Sequence, residues 1–474
     1  MQLLTTTPLA VFILVYMFVR GPIKGLWLLF FTLPMGAAAA MNVSGLGSIY
    51  LIDFAVISMW AALLIHPTGL QQLFATMRPF RPGFTLLLLL IVSLLSAFFL
   101  PRFFRGQTEV MMLVQVPDWG MAFRLRPLEP TTQNISQSIR LMISMSSFVI
   151  LATLFRAYGS AAQVHKAMIL ATTVNLIITI LDIGSYAVGM PDLLDAIRTS
   201  TMAMLDNQRM LGVKRVAGGF SEASAYGFYT VGLFGYWLRY WFNDKSSWQS
   251  GMVALLQMLL IIRSTSSSTY VAMGAFLGLY FLWHFRTMFK ARRAMLIYAA
   301  VLIAVPALMT VFIMLFTLNP MLKDFADEIL LTKMSSDSGV ERMGWNAQAM
   351  TAMIDTYGLG AGIGSVRASS FLYACLGNIG IIGTALFVVF IGQVLLARVP
   401  KSQRGTQTEA VVGALQASCV AFLMQAMLSF PYPNLEVVFF AHAGLAIGLV
   451  RRHEIIERRR VIARRTDPVR MAVV

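Results

Sequence analysis

Long apolar stretches recur along most of this 474-residue chain, and they constrain its fold more than any other feature. A helix needs roughly 20 apolar residues to cross a hydrocarbon core about 30 Å thick, and most of these stretches are close to that length. We therefore predict an all-α fold, a polytopic membrane bundle of about 12 to 14 transmembrane helices. The predicted spans lie near residues 3–19, 25–41, 48–65, 84–100, 139–155, 167–190, 218–238, 250–262, 269–285, 295–317, 369–397, 409–429 and 433–450.

The composition argues against a large soluble helical protein. Charged residues make up 12% of the chain, whereas a typical soluble domain has about 25%. Hydrophobic residues make up 58%, which agrees with a chain that lies mostly in lipid.

The stretch at 320–367 is a long polar interruption between the apolar blocks. Long loops are disproportionately functional or disordered, and the charges, Trp and glycine run of this one favour an ordered segment. DFADEILL and WNAQAMTAMI within it have the spacing of amphipathic helices. We predict a single transmembrane domain over 1–474, with a large, partly helical external loop at 318–368 that caps a reaction chamber. A basic cytoplasmic tail is predicted at 451–474.

The placement of Lys and Arg predicts the orientation, because these residues accumulate on the cytoplasmic side. The tail RRHEIIERRRVIARR is strongly basic and is expected inside. Counting spans back from it leaves the N-terminus outside, and the absence of Lys or Arg before the first span argues against a cleaved signal peptide. The other segments predicted inside are 20–24, 78–81, 156–166, 239–245, 284–294 and 398–404.

The formal net charge of +16 is partly explained by these inner segments, which face anionic lipid headgroups. Nucleic-acid binding is not indicated, because the basic residues are not interleaved with aromatics on a soluble surface. The predicted external loops are also rich in arginine, which the orientation rule does not explain. Guanidinium groups grip phosphate bidentately, so we expect a polyanionic ligand at the outer face.

The two cysteines, Cys375 and Cys419, fall in different predicted spans, which favours buried, inert thiols over a disulfide. The chain has no CxxC or HExxH motif, and its five histidines are scattered. We therefore predict no metal site and no cofactor.

The sequence KRVAGGFSEASAYG at 214–227 is the first motif that could carry chemistry. Gly218–Gly219 allows a tight entry into the next helix, and helix-start amides with Lys214 and Arg215 would make an anion site. The alternative is a helix cap in which an acid such as Glu222 serves the first turn. The combination of Lys, Arg and Glu exceeds what capping needs, so binding or catalysis is favoured.

Arg263 lies in IIRSTSSSTY, between two short apolar blocks and before a hydroxyl-rich run. The pattern fits a substrate contact at the edge of the chamber. The alternative is an arginine that snorkels to the outer headgroups. Both interpretations stay open.

SSDSGVERMGWN at 335–346 supplies Asp337, Glu341 and Arg342. A solvated turn before a helix, with Glu341 near the helix start, is the simpler interpretation. Arg342 is nevertheless a candidate for substrate binding or catalysis.

GLGAGIG at 358–364 is followed by Arg367, a further candidate for substrate binding. No strand precedes the glycines, so a dinucleotide site is not indicated. A flexible turn that returns the loop to the membrane is the prediction, and a backbone-amide nest for phosphate is the alternative.

Ionisable residues inside membrane spans are costly and usually line a cavity. Five such residues fall in the outer half of their predicted spans, which predicts one water-filled cavity open outward. The alternative is separate pairing across helices. The five are Asp53, Asp182, Glu222, Glu436 and His442.

The order of these motifs resembles the O-antigen ligase and O-antigen polymerase (Wzy-type) superfamily. The segment at 215–227 resembles its RxxGxFxE-type entry, and IIRSTSSSTYVAMGAFLGLYF resembles the helix that follows. ERMGWNAQAMTAMIDTYGLGAGIGS resembles the end of its long loop, and LGNIGIIGTALFVV the glycine-rich helix after it. The resemblance covers roughly residues 200–395, and the order of elements is more specific than any single motif.

This resemblance implies a bacterial inner-membrane enzyme whose external face is periplasmic. Such enzymes move a glycan from undecaprenyl pyrophosphate to an acceptor hydroxyl without nucleotide sugar or metal. We hypothesise that arginines hold the pyrophosphate and stabilise charge on the leaving group, with Glu222 as the first candidate for the base and Asp337 and Glu341 as the reserves. The implied catalytic residues are Arg215, Arg342 and Glu222, and the implied substrate-binding residues are Lys214, Arg263, Arg367, Asp337 and Glu341.

One departure from the superfamily bears on the reaction. Its ligases usually carry a histidine just after the glycine turn, and SVRASSFLYACLGNIG has none. A polymerase for O-antigen or exopolysaccharide is therefore favoured over a ligase, with a chain-length regulator as an expected partner. A non-enzymatic transporter or flippase for lipid-linked glycans is the third alternative, and the internal repeats it would predict are not evident.

Overall fold

The computed structural model describes residues 2–43, 47–116, 120–210, 213–243, 247–288 and 337–466. Three predicted features lie outside them: the span at 295–317, the start of the external loop at 318–336 and the end of the tail at 467–474. The DFADEILL segment also lies outside the described residues.

The described chain is mostly helical. Its helices are α1 (Thr7–Arg20), α2 (Leu26–Thr32), α3 (Leu51–Ile65), α4 (Gly69–Thr76), α5 (Pro82–Phe103), α6 (Thr132–Ala157), α7 (Ala161–Ala187), α8 (Ala223–Asn243), α9 (Trp248–Arg263), α10 (Ser267–Met288), α11 (Asp337–Asp355), α12 (Phe371–Leu395), α13 (Gln407–Ser429) and α14 (Glu436–Thr466).

Among the described helices, α5, α6, α7, α12 and α13 are long and apolar enough to cross a membrane. A sixth candidate is formed by α3 and α4 together, which are bent by 115° at a short break. Apolar helices of this length are typical of membrane proteins. The count is lower than the about 12 to 14 spans expected from apolar length alone.

The predicted span at 25–41 is wrong. Its helix, α2, has 7 residues and is therefore about 10 Å long at 1.5 Å per residue. Pro34 follows closely and cannot donate the next helical hydrogen bond. The chain then enters a strand, so the apolar residues of this stretch pack inside the fold instead of spanning it.

The described chain also contains short antiparallel strands, and the all-α prediction did not include them. The strands are β1 (Gln2–Leu3), β2 (Ala39–Val43), β3 (Gly47–Tyr50), β4 (Glu109–Val116), β5 (Gly120–Pro127), β6 (Arg209–Met210) and β7 (Val213–Lys214). They form a three-stranded sheet in the order β1-β2-β3 and two hairpins, β4-β5 and β6-β7. Both hairpins lie in predicted external loops.

Close helix packing depends on glycines that face a neighbouring backbone. On α14, a Cβ added to Gly444 would lie 2.6 Å from the Phe148 carbonyl oxygen of α6. One added to Gly448 would lie 2.7 Å from the Phe155 Cβ. Small residues four apart let two helices approach in this way, and α14 packs along α6 over much of its length.

Several loops gather at one end of the bundle, which we call the site end. Asn134 at the start of α6 donates to the Ile363 carbonyl (2.7 Å), and Arg263 at the end of α9 donates to the Lys214 carbonyl (2.8 Å). These bonds join segments that are distant in sequence. The described connecting segments at the site end are 104–116, 120–131, 188–210, 213–222, 264–266, 356–370 and 430–435.

Candidate functional site

Asp182, near the C-terminal end of α7, organises the loop that leads into α8. Its Oδ1 accepts hydrogen bonds from Arg198 Nη2 (2.7 Å) and Lys214 Nζ (2.6 Å). Its Oδ2 accepts from the backbone amides of Ala217 and Gly218, each at 3.0 Å. A buried carboxylate with four donors is fully satisfied, so it tolerates its low-dielectric surroundings.

Arg198 completes this group, which we call the Asp182 cluster (Asp182, Arg198, Asp206 and Lys214). Its Nε donates to the Gly218 carbonyl at 3.0 Å, and its Nη1 pairs with Asp206. The Arg198 and Asp182 side chains are each 1% exposed. Ion pairs at this depth hold the fold together, because the loss of one partner leaves an uncompensated buried charge.

The anion site predicted around the glycine pair is therefore occupied by the protein's own carboxylate. The Lys214 ammonium and the Gly218 amide already bind Asp182. Gly218 has a φ of 56°, and a Cβ on Gly219 would lie 2.3 Å from the Pro34 carbonyl oxygen, so both positions need glycine. We assign Lys214 to the fold and leave it out of the proposed ligand site.

Arg215 lies beside the Asp182 cluster but makes no ion pair with it. One of its terminal nitrogens donates to Gln208 Oε1 at 2.9 Å, and its Nε is buried without a hydrogen-bond partner among the described residues. Burial lowers the pKa of Arg215, the Glu222 charge opposes that shift, and the Arg342 charge adds to it. Arg215 is therefore within electrostatic range of Glu222 in its own loop and of Tyr270 and Arg342 in two other segments.

These segments together form what we call the arginine cluster. Arg215 and Glu222 come from the loop before α8, and Arg342 comes from the first turns of α11. Arg263 and Tyr270 flank the α9–α10 junction and lie within electrostatic range of each other. Glu222 and Arg342, both predicted as catalytic, thus lie within electrostatic range of Arg215, although Arg342 is 127 positions away in the numbering of the chain.

The hydroxyl-rich run after Arg263 forms the α9–α10 junction, where one helix ends and the next begins. Ser264 Oγ donates to the Ile261 carbonyl at 2.7 Å, and Tyr270 Oη donates to the Ile262 carbonyl at 2.5 Å. Thr265 has a φ of 52°, which is uncommon for a β-branched residue. Strained backbone persists only where surrounding contacts hold it, and here the Ser264 and Tyr270 hydrogen bonds hold the turn after Arg263.

Arg342 is half-buried, and none of the described residues accepts a hydrogen bond from its guanidinium. Glu341 is exposed and makes no hydrogen bond or ion pair with the cluster among the described residues. Asp337 begins α11, and its side chain lies outside the description. Arg342 lies within electrostatic range of Arg215.

Arg367 lies between two aromatic rings next to this cluster. Its guanidinium carbon is 4.7 Å from the ring centroids of both Phe123, on β5, and Trp345, on α11. Trp345 follows Arg342 by one helical turn, so the two share a face of α11. The Nε of Arg367 and the indole nitrogen of Trp345 are buried without partners among the described residues. A cavity of about 50 Å³ adjoins Arg367, with Gln133, Ser365 and Tyr432 among its other lining residues.

The glycine run at 358–364 is a packed turn, not a loose one. Its alternate glycines all have positive φ, between 79° and 96°. The Gly362 amide donates to the Asn378 carbonyl (2.9 Å), and the Gly364 amide donates to Asn378 Oδ1 (3.0 Å). Gly380, with a φ of 63°, breaks α12 where the run packs against it. Because these amides bind α12, they are not a nest for phosphate.

The ionisable residues in predicted spans fall into separate groups, so the prediction of one shared cavity is wrong. Asp182 belongs to its own buried cluster, and Glu222 lies near Arg215. Asp53 and Glu436 both lie within electrostatic range of Arg140. His442 is buried, with Nδ1 2.7 Å from the Val438 carbonyl oxygen.

Both cysteines are buried free thiols, as predicted. Within the described ranges, no group of His, Cys, Asp or Glu side chains is arranged to hold a metal ion.

Sequence reasoning missed several residues of this end. Tyr270 is the last residue of IIRSTSSSTY, the motif that contains Arg263, and its position after the hydroxyl run was the available signal in the sequence. Gln208 and Arg198 lie in a loop without periodicity, so their partners could not be inferred from spacing.

No protein-family model matches this chain, and no curated protein matches it. The resemblance to the O-antigen ligase and polymerase superfamily stays a prediction that rests on the order of motifs. Function must therefore be argued from the site, because fold and motif order alone do not establish it.

Proposed function

We propose that the protein is a polytopic enzyme of the bacterial inner membrane that polymerises lipid-linked oligosaccharide repeat units at the periplasmic face. Its donor would be a glycan on undecaprenyl pyrophosphate, and its acceptor a sugar hydroxyl. In this proposal the N-terminus is periplasmic and the C-terminus cytoplasmic. The basic residues at 78–81 and 156 and the basic tail lie together at the end opposite the arginine cluster. This arrangement supports that orientation.

The observation that carries the proposal is the convergence of Arg215, Arg342 and Glu222. The Arg342 charge lowers the pKa of Arg215 and the Glu222 charge opposes that shift, so both residues lie within electrostatic range of Arg215. Like charges brought together are stabilised by an anion that both can bind. Pyrophosphate fits this chemistry, because guanidinium groups bind its oxygens in pairs.

The reaction would proceed without a metal-dependent step. The bond from the sugar anomeric carbon to the pyrophosphate oxygen breaks, and a bond from that carbon to the acceptor oxygen forms. Arg215 and Arg342 would stabilise the negative charge that develops on the leaving pyrophosphate. Glu222, which accepts a hydrogen bond from Ser224, would take the proton of the acceptor hydroxyl.

Two further arginines would extend the binding surface. Arg263 is tied to the Lys214 carbonyl, so its charge is held at the edge of the cluster. Arg367 is fixed between two rings, while its Nε keeps an unused donor. Asp337 stays a candidate for substrate binding on sequence grounds, and the exposed position of Glu341 makes it the weaker reserve base.

The proposal is tested with the full chain reconstituted in liposomes and its lipid-pyrophosphate-linked repeat unit. Products are resolved as a ladder on a gel for wild type, Arg215→Gln, Arg342→Gln, Glu222→Gln and a control, Arg126→Gln. Arg126 is exposed on β5, outside the cluster, and Arg126→Gln removes the same charge as the arginine variants of the cluster. Removal of one preorganised donor is expected to slow the reaction by about 10² to 10³-fold, with the control unchanged.

Other outcomes identify the alternatives. Transfer to a lipid A core acceptor without a ladder would indicate a ligase. Movement of the carrier between leaflets without any transfer product would indicate a transporter. Full activity of Glu222→Gln would remove that residue as the base.

A further inference from the structure

A second arginine-rich site lies at the end of the bundle opposite the arginine cluster. A cavity of about 130 Å³ opens between the α4–α5 turn, the C-terminal end of α6 and the C-terminal half of α14. We call it the basic cavity. Its charged lining residues are Arg78, Arg81, Arg156, Arg451, Arg458 and Glu454.

The positive charges of the basic cavity are poorly balanced. Glu454 is the one acidic residue among the described lining residues, and it pairs with Arg451 at 2.5 Å. Arg156 donates to the Gln72 carbonyl at 3.2 Å. None of the described residues accepts a hydrogen bond from the side chains of Arg78, Arg81 or Arg458, the other three arginines of the cavity.

The arginines also act on one another. Burial lowers the pKa of Arg81, the charges of Arg451, Arg458 and Arg78 lower it further, and the Glu454 charge opposes the shift. Because these residues come from different helices, the fold must hold their like charges together. A bound anion would remove that repulsion, and positive residues in a concave site raise the local concentration of anions.

We propose that the basic cavity binds a phosphate-bearing anion, supplied by the headgroup of an anionic lipid or by free phosphate or pyrophosphate. Phosphate offers several oxygens to guanidinium groups that approach from several directions, which suits arginines from three helical elements. A buried water needs about 10–15 Å³ on the same measure of volume, so a cavity of about 130 Å³ has room for a phosphate group and accompanying water. Basic pockets between helices on the cytoplasmic side bind lipid headgroups in this manner.

The part of the lining that carries no charge is consistent with a lipid source. Pro82, Ala152, Ile447 and Ile455 contribute apolar surface beside the arginines. This inference does not depend on the proposed polymerase activity, since the cavity lies at the other end of the bundle.

The test uses the purified full chain in a neutral detergent, with thermal unfolding followed by tryptophan fluorescence. Phosphatidylglycerol, phosphatidylcholine and sodium pyrophosphate are titrated separately at matched ionic strength. The variants are Arg458→Gln, the pair Arg81→Gln with Arg458→Gln, and a matched control pair, Arg398→Gln with Arg404→Gln. Both control arginines are exposed in a loop predicted on the same face and do not line the cavity.

We expect phosphatidylglycerol or pyrophosphate, but not phosphatidylcholine, to stabilise the wild type and the control pair. The cavity pair should bind at least tenfold more weakly, and Arg458→Gln alone, an exposed position, should weaken binding without loss of folding. Stabilisation by phosphatidylglycerol assigns the site to a lipid headgroup, and stabilisation by pyrophosphate assigns it to free phosphate. Equal weakening in the cavity and control pairs, or no stabilisation by either ligand, would overturn the proposal.

Discussion

The Asp182 cluster and the arginine cluster lie side by side at the site end and use the same residue types in opposite ways. In the Asp182 cluster, Arg198 and Lys214 bind carboxylates and carbonyls of the protein itself. In the arginine cluster, Arg215 keeps a buried Nε without a partner among the described residues, and Arg342 has no described acceptor. Adjacent residues, Lys214 and Arg215, thus belong to different clusters.

This contrast between the two clusters shows that arginine content alone does not identify a ligand site. An arginine whose donors bind acceptors of the protein stabilises the fold, because its hydrogen bonds are made and its charge is neutralised. An arginine that has unused donors and lies beside another positive charge is available to bind an external anion. The comparison therefore separates residues whose loss should affect stability from residues whose loss should affect activity.

The largest effect is expected for Asp182→Asn. The substitution leaves Arg198 and Lys214 buried with too little negative charge, and breaking a buried ion pair costs about 3–5 kcal/mol. We expect the thermal midpoint in detergent to fall sharply or the protein to fail to fold. Arg215→Gln is the matched comparison and should leave the midpoint nearly unchanged. Equal midpoints for wild type and Asp182→Asn would break the distinction between the clusters.

Gly380→Ala tests whether the glycine turn beside Arg367 is a fixed framework. A Cβ at this position would lie 2.3 Å from the Gly358 carbonyl oxygen, and overpacking of this kind costs about 1–3 kcal/mol. Gly392→Ala in the same helix is the control, since nothing lies within 4 Å of its Cβ position. Thermal unfolding should separate the two variants, and similar midpoints would mean that the turn is not rigidly packed.

The same substitution should give opposite results in the two clusters. Arg342→Lys keeps the charge but loses the planar fork, and we expect about a tenfold drop in turnover, or about 1.4 kcal/mol, without a change in stability. Arg198→Lys should instead lower the thermal midpoint, because one ammonium cannot reach Asp182, Asp206 and the Gly218 carbonyl together. A stability loss in Arg342→Lys would place Arg342 in the framework.

The smallest effect is expected for Phe123→Leu, which removes one of the two rings around Arg367. A cation–π contact at a partly exposed site is worth about 0.5–1 kcal/mol. In a double-mutant cycle with Arg367→Gln, measured by thermal unfolding, the two changes should couple by about that amount. Additive effects would show that Phe123 does not hold Arg367.

Part of this organisation could be predicted from the sequence. The helical class and the positions of the five described helices that can cross a membrane followed from apolar length. The candidates Arg215, Arg342 and Glu222 came from charges that membrane insertion does not require. α11 also forms where its amphipathic spacing indicated, with Trp345 buried on the predicted face.

The remainder depends on contacts that spacing does not encode. The apolar length of 25–41 did not reveal that α2 ends before Pro34. The sequence placed Lys214 and Arg215 together, but it could not show that Asp182, 32 positions earlier, would bind one of them. The alternate glycines at 358–364 looked flexible, because their partner Asn378 lies in the next helix.

The most direct test of the central claim is the affinity of the purified protein for undecaprenyl pyrophosphate in detergent. Wild type, Arg215→Gln, Arg342→Gln and the exposed control Arg126→Gln are compared, with the thermal midpoint of each variant measured in parallel. From the claim that the arginine cluster binds pyrophosphate, we expect binding at least about tenfold weaker, or about 1.4 kcal/mol, in both cluster variants, with midpoints and the control unchanged. Unchanged affinity, or weakening only in proportion to a lowered midpoint, would contradict it.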